Sequence, residues 1–166
     1  VNRGDGTFEE SARRFGIDVD DASLLAAFCD YDLDGDLDFY LLLNRPAPHY
    51  FGIGFKTNAK VAQLPIVLGE GGAHTEPAFE RFYSFTKEGK FEVANGQDRL
   101  FRNDGDGRFT DVTHQAGRFP AELGLSATWW DYDANGWPDL YVGHDFDAPD
   151  FLFRNNGDGT FSDVIA

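Results

Sequence analysis

The sequence contains no methionine, a single cysteine and about half as many basic as acidic residues. With Cys29 alone, an internal disulfide is excluded, and because this residue lies in an apolar stretch we expect it to pack in the core. No apolar run approaches the length of a transmembrane helix, so we expect no insertion into a membrane. Fourteen Lys and Arg residues against 29 Asp and Glu residues give a net charge of −15, which argues against nucleic acid and anionic membranes as partners.

Signatures of catalysis are also missing. The sequence shows no Ser/His/Asp order, no nucleophile elbow and no phosphate-binding glycine loop. Its four histidines lie in different segments without metal-ligand spacing, and we expect them in loops or on the surface. We therefore expect no catalytic residues and no enzymatic activity.

Glycine and phenylalanine, by contrast, are abundant. Nineteen Gly and 17 Phe residues are typical of short aromatic strands joined by tight turns, and they favour an all-β fold over long helices.

The most informative stretch runs from Asp30 to Asp38, where acidic residues recur at every second position and Gly35 follows the third of them. Five carboxylates in nine residues repel one another unless a cation lies among them. The spacing suits Ca²⁺, and Gly35 allows the turn that wraps the chain around the ion. Short apolar flanks at 24–28 and 39–43 predict strands on both sides of this loop. The predicted ligands are Asp30, Asp32, Asp34 and Asp38 through their side chains and Asp36 through its backbone carbonyl.

A second acidic loop lies at 131–139. An asparagine replaces the third aspartate, so this site should bind calcium more weakly. The alternative is a pair of solvated acidic turns without an ion, but two copies at matching positions favour two Ca²⁺ sites. The predicted ligands are Asp131, Asp133, Asn135 and Asp139 through their side chains and Trp137 through its backbone carbonyl.

A second motif, Asn-x-Gly-Asp-Gly, occurs at 2–6, 103–107 and 155–159 and predicts tight hairpins. Asp5 precedes Asp30 by 25 residues, as Asp106 precedes Asp131, and the last two hairpins are 52 residues apart. A repeat of this length indicates a solenoid, a propeller or an array. Within one repeat we predict strands at about 99–102, 108–112, 125–130 and 140–143, which is the make-up of a four-stranded β-propeller blade.

The phrases Leu-Phe-Arg-Asn-x-Gly-Asp-Gly-x-Phe-x-Asp-Val, Gly-Leu-Ser-Ala and Trp-Asp-Tyr-Asp-x-Asn-Gly-x-x-Asp-Leu-Tyr-Val resemble FG-GAP/VCBS repeats. They are most similar to the variety in ASPIC/UnbV and cartilage-acidic-protein-like secreted proteins, and the resemblance covers 1–43 and 98–166. It implies blades of a calcium-stabilised β-propeller, as in the integrin α-subunit head, with calcium ligands at the positions given above. It also implies an extracellular or cell-surface location.

The first two units are 101 residues apart, 49 more than the repeat length. The expected domains are a partial blade with a calcium loop (1–43), an insertion (44–97), a complete blade with a calcium loop (98–149) and the start of another blade (150–166). Because 44–97 lacks both motifs, we favour an insertion between blades over a degenerate blade. It could add strands at 61–68, 82–85 and 90–93, and long insertions often carry partner contacts.

Two to two and a half blades cannot close a propeller, which has four to eight. We therefore expect part of a larger propeller or assembly. The first hypothesis is a calcium-binding extracellular module for interaction or adhesion, with a protein or glycan partner. The second is a subunit of a surface fibre that self-associates by strand exchange between chains. The third is an accessory module of a carbohydrate-active enzyme.

Overall fold

A computed structural model describes residues 1–21, 23–43, 83–85, 91–93, 97–119, 124–144 and 149–165. Their regular secondary structure is nearly all β, and the described helices are two of four residues each, α1 (Ala12–Phe15) and α2 (Thr113–Ala116). In this part of the chain no helix is long and apolar enough to cross a membrane. The strands are β1 (Ser23–Cys29), β2 (Asp38–Leu43), β3 (Tyr83–Phe85), β4 (Phe91–Val93), β5 (Arg99–Asn103), β6 (Phe109–Asp111), β7 (Gly124–Trp130), β8 (Asp139–His144), β9 (Phe151–Asn155) and β10 (Phe161–Asp163).

Eight of the strands form two antiparallel four-stranded sheets. The first sheet has the order β1-β2-β5-β6, and the second has β7-β8-β9-β10. The described strands do not close into a barrel, and both sheets are consistent with propeller blades. The all-β prediction is confirmed.

The strand pairing differs from the prediction in one respect. All four strands expected within 98–149 are present, but β5 and β6 join the first sheet whereas β7 and β8 join the second. The reason is that β5 is hydrogen-bonded to β2, and Tyr40 lies opposite Leu100 in this pair. In the same way β9 is hydrogen-bonded to β8, and Tyr141 lies opposite Leu152. Each sequence repeat is therefore shared between two sheets.

This pairing also locates the 49 additional residues. Segment 44–97 leaves from the end of β2 and returns at β5, its neighbour in the same sheet. The second sheet contacts the first directly, since the Trp129 Nε1–H donates to the Ala27 carbonyl at 3.0 Å. The extra segment therefore connects two neighbouring strands of one sheet. Most of it lies outside the described residues, so its interpretation as an insertion or as a degenerate blade stays a prediction.

Part of the predicted structure of the insertion is present. β3 pairs with β4, with Ser84 opposite Glu92, as expected for strands at 82–85 and 90–93. The strand predicted at 61–68 lies outside the described residues.

The main core lies between the two sheets. Phe119, in the segment that crosses from the first sheet to the second, packs edge-on against Tyr40 at 5.3 Å and Phe153 at 5.1 Å between ring centroids. Tyr31 stacks on Trp129 with centroids 6.3 Å apart. Cys29 is only half-buried, and burial raises the pKa of its thiol to about 11. The other buried members of this core include Leu42, Leu100, Val112, Ala116, Leu140, Val142 and Phe161.

Beside this core, an aspartate just before β5 is hydrogen-bonded to two residues of β2. Asp98 is fully buried, and its carboxylate accepts the Tyr40 hydroxyl at 2.7 Å and the Leu43 N–H at 2.8 Å. Desolvation raises the pKa of Asp98 to about 7, against the lowering effect of these two hydrogen bonds. In the second sheet Asp150 accepts the equivalent bonds from Tyr141 and His144, but there the carboxylate is exposed.

Candidate metal centres

The first acidic loop connects β1 to β2, and its own carboxylates hold its shape. Asp30 Oδ2 accepts the Gly35 N–H at 3.1 Å, and Asp34 Oδ1 accepts the Asp36 N–H at 2.9 Å. Gly35 has a φ of 98°, which glycine adopts at little cost. The turn predicted at this glycine is present.

Asp38 ties this loop to the next hairpin. It is fully buried, and its two oxygens accept the Tyr31 N–H at 3.1 Å and the Asn103 N–H at 2.8 Å. Burial, with a smaller contribution from the charges of Asp32 and Asp34, raises the pKa of Asp38 to about 6 against the lowering effect of these hydrogen bonds. A carboxylate held in this way is costly to ionise without a nearby cation.

Three carboxylates of the first loop converge. Asp30, Asp32 and Asp38 each place one oxygen within 4.8 Å of the others. Asp30 Oδ1 and Asp32 Oδ1 are also buried and have no hydrogen-bond partner in the structure. Because buried acceptors are normally satisfied, these two oxygens are suited to coordinating an ion. Carboxylate oxygens are the donors that Ca²⁺ prefers, so the residues present fit this ion.

The second loop, between β7 and β8, repeats the arrangement. Asp131, Asp133 and Asp139 place one oxygen each within 4.8 Å of the others. Asp131 accepts the Asn135 N–H at 3.0 Å and the Gly136 N–H at 2.8 Å. Asp131 and Asp133 are exposed, whereas Asp30 and Asp32 are half-buried, so the second group is more open to solvent.

Asp139 has the same role here as Asp38 in the first loop. It is fully buried, and it accepts the Tyr132 N–H at 3.0 Å and the Asn155 N–H at 2.7 Å. Both loops are thus attached through their last aspartate to the hairpin that follows in the same sheet.

The side chains of two further predicted ligands accept hydrogen bonds within their own loops. Asp34 lies outside the group of three carboxylates, and its Oδ1 accepts a hydrogen bond within the loop. Asn135 Oδ1 likewise accepts the Trp137 N–H at 2.8 Å. Ligation by these two side chains, and by the backbone carbonyls of Asp36 and Trp137, stays a prediction.

Sequence reasoning missed the part played by two asparagines. Asn103 Nδ2 donates to the Leu37 carbonyl at 3.3 Å, and Asn155 Nδ2 donates to the Pro138 carbonyl at 3.1 Å. Each asparagine side chain is therefore hydrogen-bonded to the backbone of an acidic loop. Both begin an Asn-x-Gly-Asp-Gly motif and were interpreted only as turn residues. The signal was in the spacing, because Asp139 precedes Asn155 by 16 residues and Asp38 precedes Asn103 by 65, which is the same separation plus 49.

Residues 91–142 match a family described as FG-GAP-like repeat. The match supports the FG-GAP repeat family. Among curated proteins none matches the chain. The FG-GAP-like segment begins at β4 and ends within β8, so it includes the second acidic loop together with strands from both sheets.

Proposed function

We propose that this chain is a calcium-stabilised, extracellular β-propeller segment of the FG-GAP type, similar to the ASPIC/UnbV and cartilage-acidic-protein-like variety. The observation that carries the proposal is the convergence of Asp30, Asp32 and Asp38 with two buried oxygens that lack partners. The same three positions converge in the second loop. The module is non-enzymatic, and its role is interaction or adhesion with a protein or glycan.

Calcium at these positions would act on folding through the last aspartate of each loop. The ion offsets the repulsion among the carboxylates and favours the charged form of Asp38, which also holds the Asn103 backbone. Extracellular calcium modules have dissociation constants of about 0.1–1 mM. A tenfold excess of calcium over the dissociation constant then stabilises the fold by about 1.4 kcal/mol per site.

The test is thermal unfolding in millimolar calcium and in excess EGTA, with calorimetric titration of calcium. We expect a higher melting temperature with calcium and two binding events. Asp30→Asn and Asp131→Asn should each weaken one event and remove part of the shift. Asp36→Asn is the matched control, because it removes the same charge from the loop at a position predicted to bind only through its backbone. Equal melting curves in calcium and EGTA, with no heat of binding, would contradict the proposal.

A further inference from the structure

A single asparagine of the second sheet is hydrogen-bonded to both acidic loops. Asn155 lies at the end of β9 and is 2% exposed. Its N–H donates to Asp139 Oδ1 at 2.7 Å, and its side-chain Nδ2 donates to the Pro138 carbonyl at 3.1 Å. The same Nδ2 donates to the Tyr31 carbonyl in the first loop at 2.9 Å. Asn155 therefore joins the backbone of the first loop to a predicted ligand of the second.

Tyr31 occupies a central position in the first loop, because it lies between two predicted ligands. Asp30 and Asp32 are its neighbours in the sequence, and both belong to the group of three converging carboxylates. The Tyr31 N–H donates to Asp38 Oδ2, on the third member of that group, at 3.1 Å. A shift of the backbone at Tyr31 would therefore change the positions of Asp30 and Asp32 relative to Asp38.

The second sheet holds the ring of Tyr31 as well as its carbonyl. The ring is buried, and its centroid lies 6.3 Å from that of Trp129 and 5.7 Å from that of Phe161. Trp129 belongs to the β7–β8 hairpin, and Phe161 belongs to the β9–β10 hairpin. These are the two hairpins that the hydrogen bond between Asp139 and Asn155 joins. The geometry of the first loop thus depends on how the second loop is attached to its sheet.

We propose that Asn155 is a positioning residue that couples the two sites, so that calcium in either loop raises the calcium affinity of the other. This inference rests on the proposed calcium-binding function. When Asp139 holds an ion, its position is fixed, and so is that of the Asn155 backbone that donates to it. The Asn155 amide then holds the Tyr31 carbonyl, so the first loop loses less freedom when it binds an ion in turn. Because coupling of two binding equilibria is reciprocal, each site changes the affinity of the other by the same factor.

The sign of this coupling distinguishes it from an effect of charge. A divalent ion in one loop cancels part of the negative charge there, and so it weakens the attraction of that loop for an ion in the other. Charge alone therefore predicts that the two sites weaken each other, whereas ordering through Asn155 predicts that they strengthen each other. Replacing Asn155 by another uncharged residue leaves the effect of charge unchanged.

Asn103 provides a matched control on the same chain. It begins the equivalent motif 52 residues earlier, its N–H donates to Asp38 Oδ1 at 2.8 Å, and its Nδ2 donates to the Leu37 carbonyl at 3.3 Å. Within the described residues, its side chain makes no hydrogen bond to the other acidic loop. Asn103→Ala therefore removes contacts within one sheet, whereas Asn155→Ala also removes the link between the sheets.

The experiment is a calcium titration followed by two-dimensional amide NMR, in which each loop has its own reporter. Gly35 reports on the first loop and Gly136 on the second, since each donates its N–H to the first aspartate of its own loop. Asp131→Asn weakens the second site, and it is introduced alone, with Asn155→Ala and with Asn103→Ala. Thermal melting verifies that each variant is folded.

We expect Asp131→Asn alone to raise the calcium concentration that half-saturates the Gly35 signal by at least about fivefold. The two hydrogen bonds that the Asp131 carboxylate accepts lie within the second loop, so a change at Gly35 reports transmission between the loops. Asp30→Asn should raise the half-saturating concentration at Gly136 by the same factor.

The effect of Asp131→Asn on Gly35 should disappear in the Asn155→Ala background and persist in the Asn103→Ala background. Its loss in both backgrounds would show that the link through Asn155 does not carry the coupling. The comparison that leaves Asn155 unchanged still decides the sign of the coupling if Asn155→Ala does not fold.

Two further results separate the coupling from calcium binding itself. If Asp131→Asn leaves the half-saturating concentration at Gly35 unchanged, or lowers it as charge alone predicts, the coupling is overturned while the calcium-binding proposal stands. If neither Gly35 nor Gly136 responds to calcium in the unmodified chain, calcium binding is contradicted, and the coupling is contradicted with it.

Discussion

At the fourth position of each acidic loop the backbone takes a left-handed conformation at a residue other than glycine. Leu33 has a φ of 60° and Ala134 a φ of 58°. Side chains with a Cβ are disfavoured in this region, and asparagine tolerates it better than leucine does. Both loops thus hold a strained residue at the same place, between the second and third predicted ligands.

We expect Leu33→Asn to stabilise the fold by about 0.5–1 kcal/mol, because it relieves this strain. Leu33 is 52% exposed, so little packing is lost. Leu37→Asn is the control, since Leu37 is 58% exposed in the same loop and has no left-handed conformation. Urea unfolding in constant calcium measures both free energies of unfolding. Equal effects of the two substitutions would mean that the backbone at Leu33 is not strained.

The buried Asp98 makes stability depend on pH. Its pKa is about 7 in the folded chain against an ordinary value of 3.8, so between about pH 4 and 7 the folded state keeps a proton that the unfolded state has released. Stability from this group is therefore complete below about pH 4 and is lost as the pH rises to about 7, by up to about 4 kcal/mol.

Asp98→Asn should remove that loss, so that the difference in unfolding free energy between about pH 4.5 and about pH 7.5 becomes smaller than in the unmodified chain. Asp150→Asn provides the comparison, because the Tyr141 hydroxyl, its strongest influence, lowers the pKa of that exposed carboxyl. Urea unfolding at the two pH values gives the result. An unchanged pH dependence in Asp98→Asn would show that Asp98 ionises normally.

The candidate ligands could be predicted from sequence because the residues that converge lie within nine positions of one another. Alternating aspartates around Gly35 determine their own loop through local hydrogen bonds. The attachment of Asp38 to Asn103 could not be predicted in this way, since 65 residues separate the two. Nor could the burial of Asp98, whose partner Tyr40 is 58 positions away.

At the scale of strands and hairpins, the residues of each turn were sufficient to predict that hairpin, but they did not predict which hairpins join into one sheet. The Asn-x-Gly-Asp-Gly motif predicts β5–β6 and β9–β10, and the acidic loops predict β1–β2 and β7–β8. Which hairpin continues which sheet depends on the β2–β5 and β8–β9 ladders, and the first of these spans the insertion. A repeat counted along the sequence therefore does not coincide with a sheet.

The insertion should be dispensable for folding. In the sequence, residues 44–97 correspond to residues 145–149, which connect β8 to β9, because Leu43 matches His144 and Asp98 matches Asp150. Replacing 44–97 by the five residues at 145–149 keeps the β2–β5 register. The shorter connection lowers the entropic cost of closing the loop, and this should stabilise the fold by up to about 2 kcal/mol.

Circular dichroism and calcium titration would assess this shortened chain. Retained strand content and unchanged calcium affinity are expected. Loss of cooperative unfolding would mean that the first sheet needs contacts from the insertion. A shortened connection made of glycine and serine separates the effect of length from that of the sequence at 145–149.

At the scale of the whole molecule, the two sheets are held together at close range. Because Leu42 occupies the space that a Cβ at Gly124 would need, Gly124→Ala should destabilise the chain by about 1–3 kcal/mol. Combination with Leu42→Ala tests the cause, since the double variant should lose less stability than the two single variants added together. Additive losses would show that the two residues do not meet across the sheets.

The shared repeat affects how such a chain tolerates recombination. Exchanging one 52-residue repeat with that of a relative would replace half of each sheet, together with the crossing segment that carries Phe119. The new joints would fall at the β2–β5 and β8–β9 ladders, where backbone hydrogen bonds form whatever the side chains are. The incoming piece would bring its own crossing segment and acidic loop. Chains of this design can therefore be shuffled and lengthened by whole repeats, provided that each incoming repeat keeps the aspartates that bridge these ladders, as Asp98 does to Tyr40.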